Sequence, residues 1–382
     1  CGYPPRDLLD RPAFQAESAR LLAELTRRSG RTALLAGTFL PNRSRTGKPL
    51  YNAAVLMRNG KASAVGRKCL LPAYDVFDEV RHFEPAESPT LARLAGRRVG
   101  LTICEDLWND KDFFRARRLY RDDPGETLLA RGADLIVNVS ASPFSEGKPR
   151  LRRRMLARLA RDGGVPVAYL NLVGGNDELV FDGGSMVLDG GGRVRARAAL
   201  FEEDFVVVDL DGPRVSPVVG SEPADLPDDA DGEPLESLRR ALVLGIRDYA
   251  RKCGFRTAVV GLSGGIDSAL VCALAVDALG AANVTGLALP SRYSSGGSIA
   301  DARALAEGLG VRLDVAAVAQ QLEHDRLTVA LLYGLDRGVI SGQSFTDRTI
   351  TRNWIGTVAG LGASMAAVEK ARKRFIDPPG FL

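Results

Sequence analysis

The chain has 382 residues, of which 45% are apolar and 26% charged, with a formal net charge of +4. That length allows two domains with full cores, and the balance is ordinary for a globular protein. Acids and bases are interspersed, so nothing points to nucleic acid or to a membrane surface. Five scattered cysteines, Cys1, Cys69, Cys104, Cys253 and Cys272, and only two histidines argue against a zinc site and suit a reducing, cytoplasmic setting. No run is long and apolar enough to span a bilayer, and no signal peptide is visible. The chain opens on Cys rather than Met, and we expect it to be incomplete at its N-terminus.

Taken in order, Gly2-Tyr3-Pro4-Pro5 reads as a turn or extended segment, and Pro12 to Arg28 as a helix. Thr32 to Phe39 is a buried strand. Ala53 to Met57 and Ala62 to Val65 flank Asn59-Gly60, a strong hairpin signal that delivers Lys68 at the end of the second strand. Further strands are expected at 98–103, ending on Cys104-Glu105-Asp106, then at 134–139, 165–172, 184–188, 194–198 and 205–209. Between them, Arg150 to Arg161 carries apolar residues at helical spacing and reads as a helix with a solvated basic face. Strands outnumber helices here, which suggests sheets packed face to face with helices outside.

Residues 211–234 are rich in Pro, Asp, Glu and Gly and read as a linker. Leu235 to Lys252 is an amphipathic helix. The strand 257–260 then runs into Gly261-Leu262-Ser263-Gly264-Gly265-Ile266-Asp267-Ser268 and a helix start. Backbone N–H groups, a helix dipole and two hydroxyls make such a turn a phosphate cradle. It is not a Walker loop, because no Gly-Lys-Ser/Thr follows. Strands at 284–289 and 311–318, with a capping box Ser298-x-x-Asp301 opening a helix between them, indicate a parallel sheet.

Taken alone, Cys104 reads as a small buried apolar side chain and Lys68 as a surface lysine. The surrounding words change that. Gly2-Tyr3-Pro4-Pro5-Arg6-Asp7, Leu50-Tyr51-Asn52-Ala53-Ala54, Lys68-x-x-Leu71-Pro72-x-Tyr74-x-x-Phe77-Asp78-Glu79-x-Arg81-x-Phe83, Ile103-Cys104-Glu105-Asp106-Leu107-Trp108 and Asn138-x-Ser140-Ala141-Ser142-Pro143-Phe144 occur in this order. Together they resemble the glutamine amidase domain of the glutamine-dependent NAD synthetases, within the nitrilase superfamily. Ser263 to Ser268 is similar to the pyrophosphate loop of the ATP pyrophosphatases, and Leu289-Pro290-Ser291-Arg292-Tyr293-Ser294-Ser295 resembles a segment of the NAD synthetases among them.

The resemblance implies an α/β protein: a nitrilase-like αββα sandwich over residues 1–210, a linker over 211–234, and a partial Rossmann-like parallel-sheet domain over 235–332. It implies Cys104 as nucleophile and Lys68 as stabiliser of the oxyanion, with the ammonium favouring a thiolate at neutral pH. Tyr74, Phe77, Glu105, Ser142 and Lys148 would line the glutamine pocket. Ser263, Gly264, Gly265, Ser268 and Arg292 would hold ATP, and Asp267 would help bind Mg2+. The implied reaction joins ammonia from glutamine to nicotinic acid adenine dinucleotide, giving NAD, AMP and pyrophosphate, in a cytoplasmic homo-oligomer.

Two departures stand out. The family's general-base Glu lies just ahead of the Gly-Tyr-Pro-Pro stretch, and it maps onto neither Glu79 nor Glu105. Residues 333–382 carry none of the family's later synthetase motifs and form an atypical tail. Reduced or absent activity is therefore expected of this chain. The alternatives are a stand-alone nitrilase-type amidase with a degenerate nucleotide domain, or a non-catalytic fragment that binds ATP.

Overall fold

The protein is described by a computed structural model covering residues 2–110, 113–114, 118–210, 216–219 (backbone), 234–290 and 295–315. It divides into two compact units, Cys1–Tyr249 and Ala250–Leu382. Arg292, residues 316–332 and the expected tail 333–382 lie outside the described residues, as does most of the expected linker.

The first unit opens with a 3-10 helix, Arg6–Asp10, and helix α1, Pro12–Arg28. Strands β1, Leu34–Pro41, β2, Leu50–Arg58, and β3, Lys61–Arg67, form an antiparallel three-stranded sheet. The expected hairpin joins β2 to β3. Asn59 and Gly60 sit at φ 52° and 75°, the left-handed conformation that a two-residue turn of this hand demands. Phe14 of α1 stacks on Phe39 of β1, ring centroids 5.8 Å apart, and covers that sheet from outside. Helix α2, Glu79–His82, follows; at only four residues it left no periodic signal in the sequence.

The second sheet is six-stranded. It contains β4, Thr90–Leu94, β5, Arg97–Ile103, β6, Leu135–Ser140, and β7, Val167–Asn171. Helices α3, Pro124–Ala130, and α4, Lys148–Gly163, lie between these strands in the chain. Beyond a two-stranded hairpin of β8, Val173–Asn176, and β9, Leu179–Asp182, the sheet gains β10, Met186–Leu188, and β11, Val194–Arg197. Its order is β11-β10-β7-β6-β5-β4, with β5, β6 and β7 parallel and the flanking pairs antiparallel.

The period of two along β5 and β6 builds the layers. Val99, Leu101 and Leu135 join Leu56 of β2 in the core between the sheets. Ile136 points the other way, into a core with Leu128 of α3 and Met155 and Leu156 of α4. Each of these buried aliphatic side chains contributes roughly 1.5–3 kcal/mol. The layers are thus helix, sheet, sheet, helix, as the strand-rich pattern implied.

Two sequence expectations about the first unit need revision. The basic face of α4 is not all solvated: Arg152 and Arg153 are buried, and Arg152 forms a two-pronged pair with Asp182 at 3.1 Å on each arm. Part of the expected linker is ordered, since β13, Ser216–Val219, pairs antiparallel with β12, Val207–Asp209. Helix α5, Pro234–Lys252, packs Ala241 and Leu244 against Phe201 of the first unit.

The second unit holds β14, Ala258–Gly261, helix α6, Ile266–Leu279, β15, Val284–Ala288, helix α7, Gly296–Leu309, and β16, Arg312–Val315. The strands form a parallel sheet in the order β14-β15-β16. The start of α7 also differs from expectation. Ser295 caps the helix, its Oγ accepting from the Ser298 N–H at 3.1 Å, so Ser298 sits inside the first turn. A serine at either position satisfies the sequence pattern, and only the backbone decides which one is the cap. Among the described residues no helix is long and apolar enough to cross a membrane.

Candidate active site

Cys104 is placed where β5 ends and a 3-10 helix, Cys104–Leu107, begins. Its φ is 43°, a left-handed conformation that a non-glycine residue adopts at a cost of roughly 1–3 kcal/mol. Asp106 holds this elbow. One carboxylate oxygen accepts from Cys69 N and Leu70 N, the other from Ile103 N, all at 2.9 Å. The carboxylate therefore ties the segment after β3, which carries Lys68, to the end of β5, which carries Cys104. Burial raises its pKa to about 6 against the pull of those donors.

Lys68 is 1% exposed, and its Nζ donates to both oxygens of Glu79 at 2.8 Å. Glu79 is 4% exposed and also accepts from Tyr3 Oη at 2.6 Å and, more weakly, Asn52 Nδ2 at 3.4 Å. Burial pulls the ammonium down, but the charges of Glu79, Cys104 and Asp106 outweigh it and the net shift of Lys68 is upward. The lysine is thereby kept cationic in the interior. Tyr3 is pushed far above its ordinary value by burial and by Glu79, and so stays a donor.

The thiol itself does not fit the expectation of a resting thiolate. Burial raises the Cys104 pKa, Lys68 and Lys148 oppose that, and Glu105 and Glu79 add to it; the net direction is upward. Two ammonium groups do not offset desolvation and two nearby carboxylates.

Cys104 opens onto a cavity of about 500 Å³. Tyr74, Phe77, Glu105, Ser142 and Lys148, the residues singled out from sequence, all line it, together with Trp108 and Glu146. Lys68 does not line this cavity; it is buried. Glu105 accepts from Tyr74 Oη at 2.8 Å and Tyr120 Oη at 3.2 Å, and burial lifts its pKa despite those donors. Lys148 opens α4 and faces the Trp108 ring at 5.5 Å; burial lowers its pKa. A cation at a helix N-terminus gains nothing from the dipole. Ser142 is held from behind: Asn171 Oδ1 accepts from Ser142 N at 2.9 Å, and Asn171 Nδ2 donates to Asp182, the partner of Arg152.

Sequence reasoning missed Glu79, Tyr3, Tyr120 and the Asn171–Asp182–Arg152 chain as parts of this site. Glu79 and Tyr3 stood inside quoted motifs, so the signal was present without a role attached. Nothing in the spacing of Asn171, Asp182 and Arg152 brings them together; the sheet does.

In the second unit the loop between β14 and α6 brings Ser263, Gly264, Gly265, Asp267 and Ser268 together. Ser263 Oγ and Ser268 Oγ lie 3.1 Å apart, and Ser263 Oγ accepts from Gly265 N at 3.2 Å. Gly264 has φ 81°, and a Cβ there would collide with the Ser298 backbone. Ser263, Gly265 and Asp267 are exposed, and the N–H groups of Ser263 and Gly265 donate to hydroxyls inside the loop, so an anion there would exchange with those bonds. Arg292 lies outside the described residues.

Residues 1–218 match the family model described as Carbon-nitrogen hydrolase, and residues 238–326 the one described as NAD synthase. The chain is similar to the Glutamine-dependent NAD(+) synthetase of Synechocystis sp., 45% identical over 315 residues that cover 81% of this chain and 55% of the relative. The Thermotoga maritima protein of the same name is 42% identical over 340 residues, covering 81% and 56%. Among solved structures, a glutamine-dependent NAD+ synthetase from Acinetobacter baumannii in complex with ADP matches with a TM-score of 0.74 and 31% identity, covering 88% of this chain and 59% of that one. The chain spans about half the length of the curated relatives it matches.

Proposed function

We propose that this chain, which belongs to the carbon-nitrogen hydrolase family, is the glutamine-hydrolysing and ATP-binding part of a glutamine-dependent NAD+ synthetase. The observation that carries the reading is the left-handed Cys104, held at the edge of a cavity beside the buried Lys68–Glu79 pair. The names of the similar proteins supply the substrate class.

In this reading Cys104 Sγ attacks the side-chain amide carbon of glutamine. The carbonyl oxygen takes the negative charge beside the Lys68 ammonium, a charge already oriented and needing no reorganisation. The C–N bond then breaks, nitrogen takes a proton and leaves as ammonia, and a glutamyl thioester remains. Water hydrolyses the thioester to glutamate and restores the thiol. Tyr74, Phe77, Glu105 and Ser142 shape the pocket, and Lys148 meets the substrate carboxylate. Glu79 positions Lys68. With three donors already on its carboxylate, Glu79 is poorly placed to take the thiol proton as well, and Glu105 is engaged by two tyrosines. Hydrolysis by this chain alone is accordingly slow.

In the second unit Ser263, Gly264, Gly265 and Ser268 hold ATP phosphates, with Arg292 as a further phosphate or nucleotide contact. Asp267, an exposed carboxylate in the first turn of α6, suits Mg2+, which binds through one or two carboxylates plus phosphate oxygens. Bound there, Mg2+ would neutralise phosphate charge. The acceptor of ammonia is nicotinic acid adenine dinucleotide, adenylated by ATP. The same reading carries a cytoplasmic homo-oligomer.

The test is ammonia release from glutamine by the purified chain, alongside retention of ATP. Slow release that disappears in Cys104→Ala, with ATP retained, is the expected result. Release without ATP retention points instead to a stand-alone amidase. ATP retention with release no faster than in Cys104→Ala points to a nucleotide-binding fragment.

A further inference from the structure

Outside the cavity, the fold gathers a second set of side chains that the chemistry above does not use. Asp7 and Asp10 lie three residues apart on the 3-10 helix Arg6–Asp10, where side chains at that spacing eclipse one another. His82 closes α2 opposite them. One ligand atom from each of the three residues lies within 4.8 Å of the other two. His82 Nδ1 stands 3.4 Å from an Asp10 carboxylate oxygen, and Nε2 stands 3.9 Å from one of Asp7.

We propose that Asp7, Asp10 and His82 form a binding site for a divalent cation of the zinc class. Two observations carry this. The first is the donor set: one imidazole nitrogen and two carboxylates suit a borderline ion such as Zn2+ or Co2+ better than Mg2+, which favours oxygen alone. Such an ion holds its ligands at about 2.0–2.2 Å, which spaces neighbouring ligand atoms about 3–3.5 Å apart. The Asp10–His82 separation of 3.4 Å already has that value. Asp7 and Asp10 are 72% and 61% exposed at the side chain and open to an ion from solvent.

The second observation is the state of the imidazole. His82 has a side chain only 10% exposed and stands between the two carboxylates, with no hydrogen bond from its ring among the described residues. An imidazole enclosed this far, with a carboxylate facing each ring nitrogen, is already oriented toward the two acids before an ion arrives. Arg81 also pairs with Asp7, at 3.1 Å, through the carboxylate oxygen that faces His82, and a bound ion would displace it. The histidine count argued against zinc at the level of composition. The fold instead brings one of the two histidines to two aspartates distant from it in sequence.

A bound ion would brace the Arg6–Asp10 helix against α2. The first residue of α2 is Glu79, which holds Lys68. The site is therefore a clamp at one end of a four-residue helix whose other end positions the buried lysine.

The full chain, stripped with a chelator, is titrated with Zn2+ by calorimetry and with Co2+ by visible absorption. One saturable equivalent is expected, with affinity reduced at least ~10-fold in His82→Gln and in Asp10→Asn. His324→Gln, which removes the chain's other histidine, leaves affinity unchanged. Saturating Zn2+ raises the thermal midpoint of the parent and not of the two site variants. If His82→Gln fails to fold, Asp10→Asn, at an exposed position, carries the test. Absence of saturable binding, binding that survives both site substitutions, or binding lost only on blocking thiols overturns the proposal.

Discussion

At Cys104 the backbone and the electrostatics pull in different directions, and the reactivity of the thiol follows from which one prevails. The left-handed φ of 43° lifts Sγ out of the strand and toward the cavity. Burial meanwhile keeps the thiol protonated, even with Lys68 and Lys148 nearby. Lys68 is held cationic by Glu79 and does not need a resting thiolate as its partner. The sign for alkylation follows. Because the pKa is raised, the thiolate fraction at neutral pH is small and grows with pH. Alkylation of Cys104 by iodoacetamide should therefore rise about tenfold per unit from pH 6 to pH 8, followed by mass spectrometry of the Cys104 peptide. A rate already flat across pH 7 would show an ion-paired thiolate and remove the argument for burial. The residue identities Cys104, Lys68 and Lys148 were legible in sequence. The protonation state was not, because desolvation is a property of the packed site.

At the scale of elements, the strongly patterned segments were readable and the short ones were not. Helix α1 falls at the residues its periodicity marks, and the Asn59-Gly60 hairpin forms where its turn chemistry demands. Helix α2 and the β8–β9 hairpin are four residues per element, too short for a period to show, yet α2 carries Glu79 and β9 ends on Asp182. Arg152 sits in a run that reads as a solvated face, but its guanidinium lies under Asp182 in the interior. A buried pair of this kind is visible only when strand and helix are brought together. The phosphate-type loop is an element-scale feature as well, since its shape depends on Gly264 lying against the first turn of α7. Gly264→Ala places a side chain at φ 81° and against the Ser298 backbone, so more than about 1 kcal/mol should be lost. The thermal midpoint of the second unit should fall and ATP retention with it; an unchanged midpoint and unchanged retention would show that the loop tolerates a side chain there.

For the molecule as a whole, two units carry two candidate sites on one chain. The sandwich provides a floor: parallel strands β5 and β6 feed the cores on both faces, and the C-terminal ends of β5, β6 and β7 deliver Cys104, Ser142 and Asn171 to one region. The second unit offers a three-stranded parallel sheet whose first strand leads into the loop. Strand-rich against strand–helix alternating patterns separated these architectures in the sequence, while the place of α5 on the first unit depended on the contact of Ala241 and Leu244 with Phe201. The central claim is that the Cys104 cavity takes glutamine and presents its amide to the thiol. The most direct measurement treats the chain with an electrophilic glutamine analogue and locates the adduct by mass spectrometry, with and without excess glutamine. A single adduct on Cys104, suppressed by glutamine and weakened in Lys148→Met, is the predicted result; labelling spread over the other four cysteines, or labelling of Cys104 indifferent to glutamine, would contradict it.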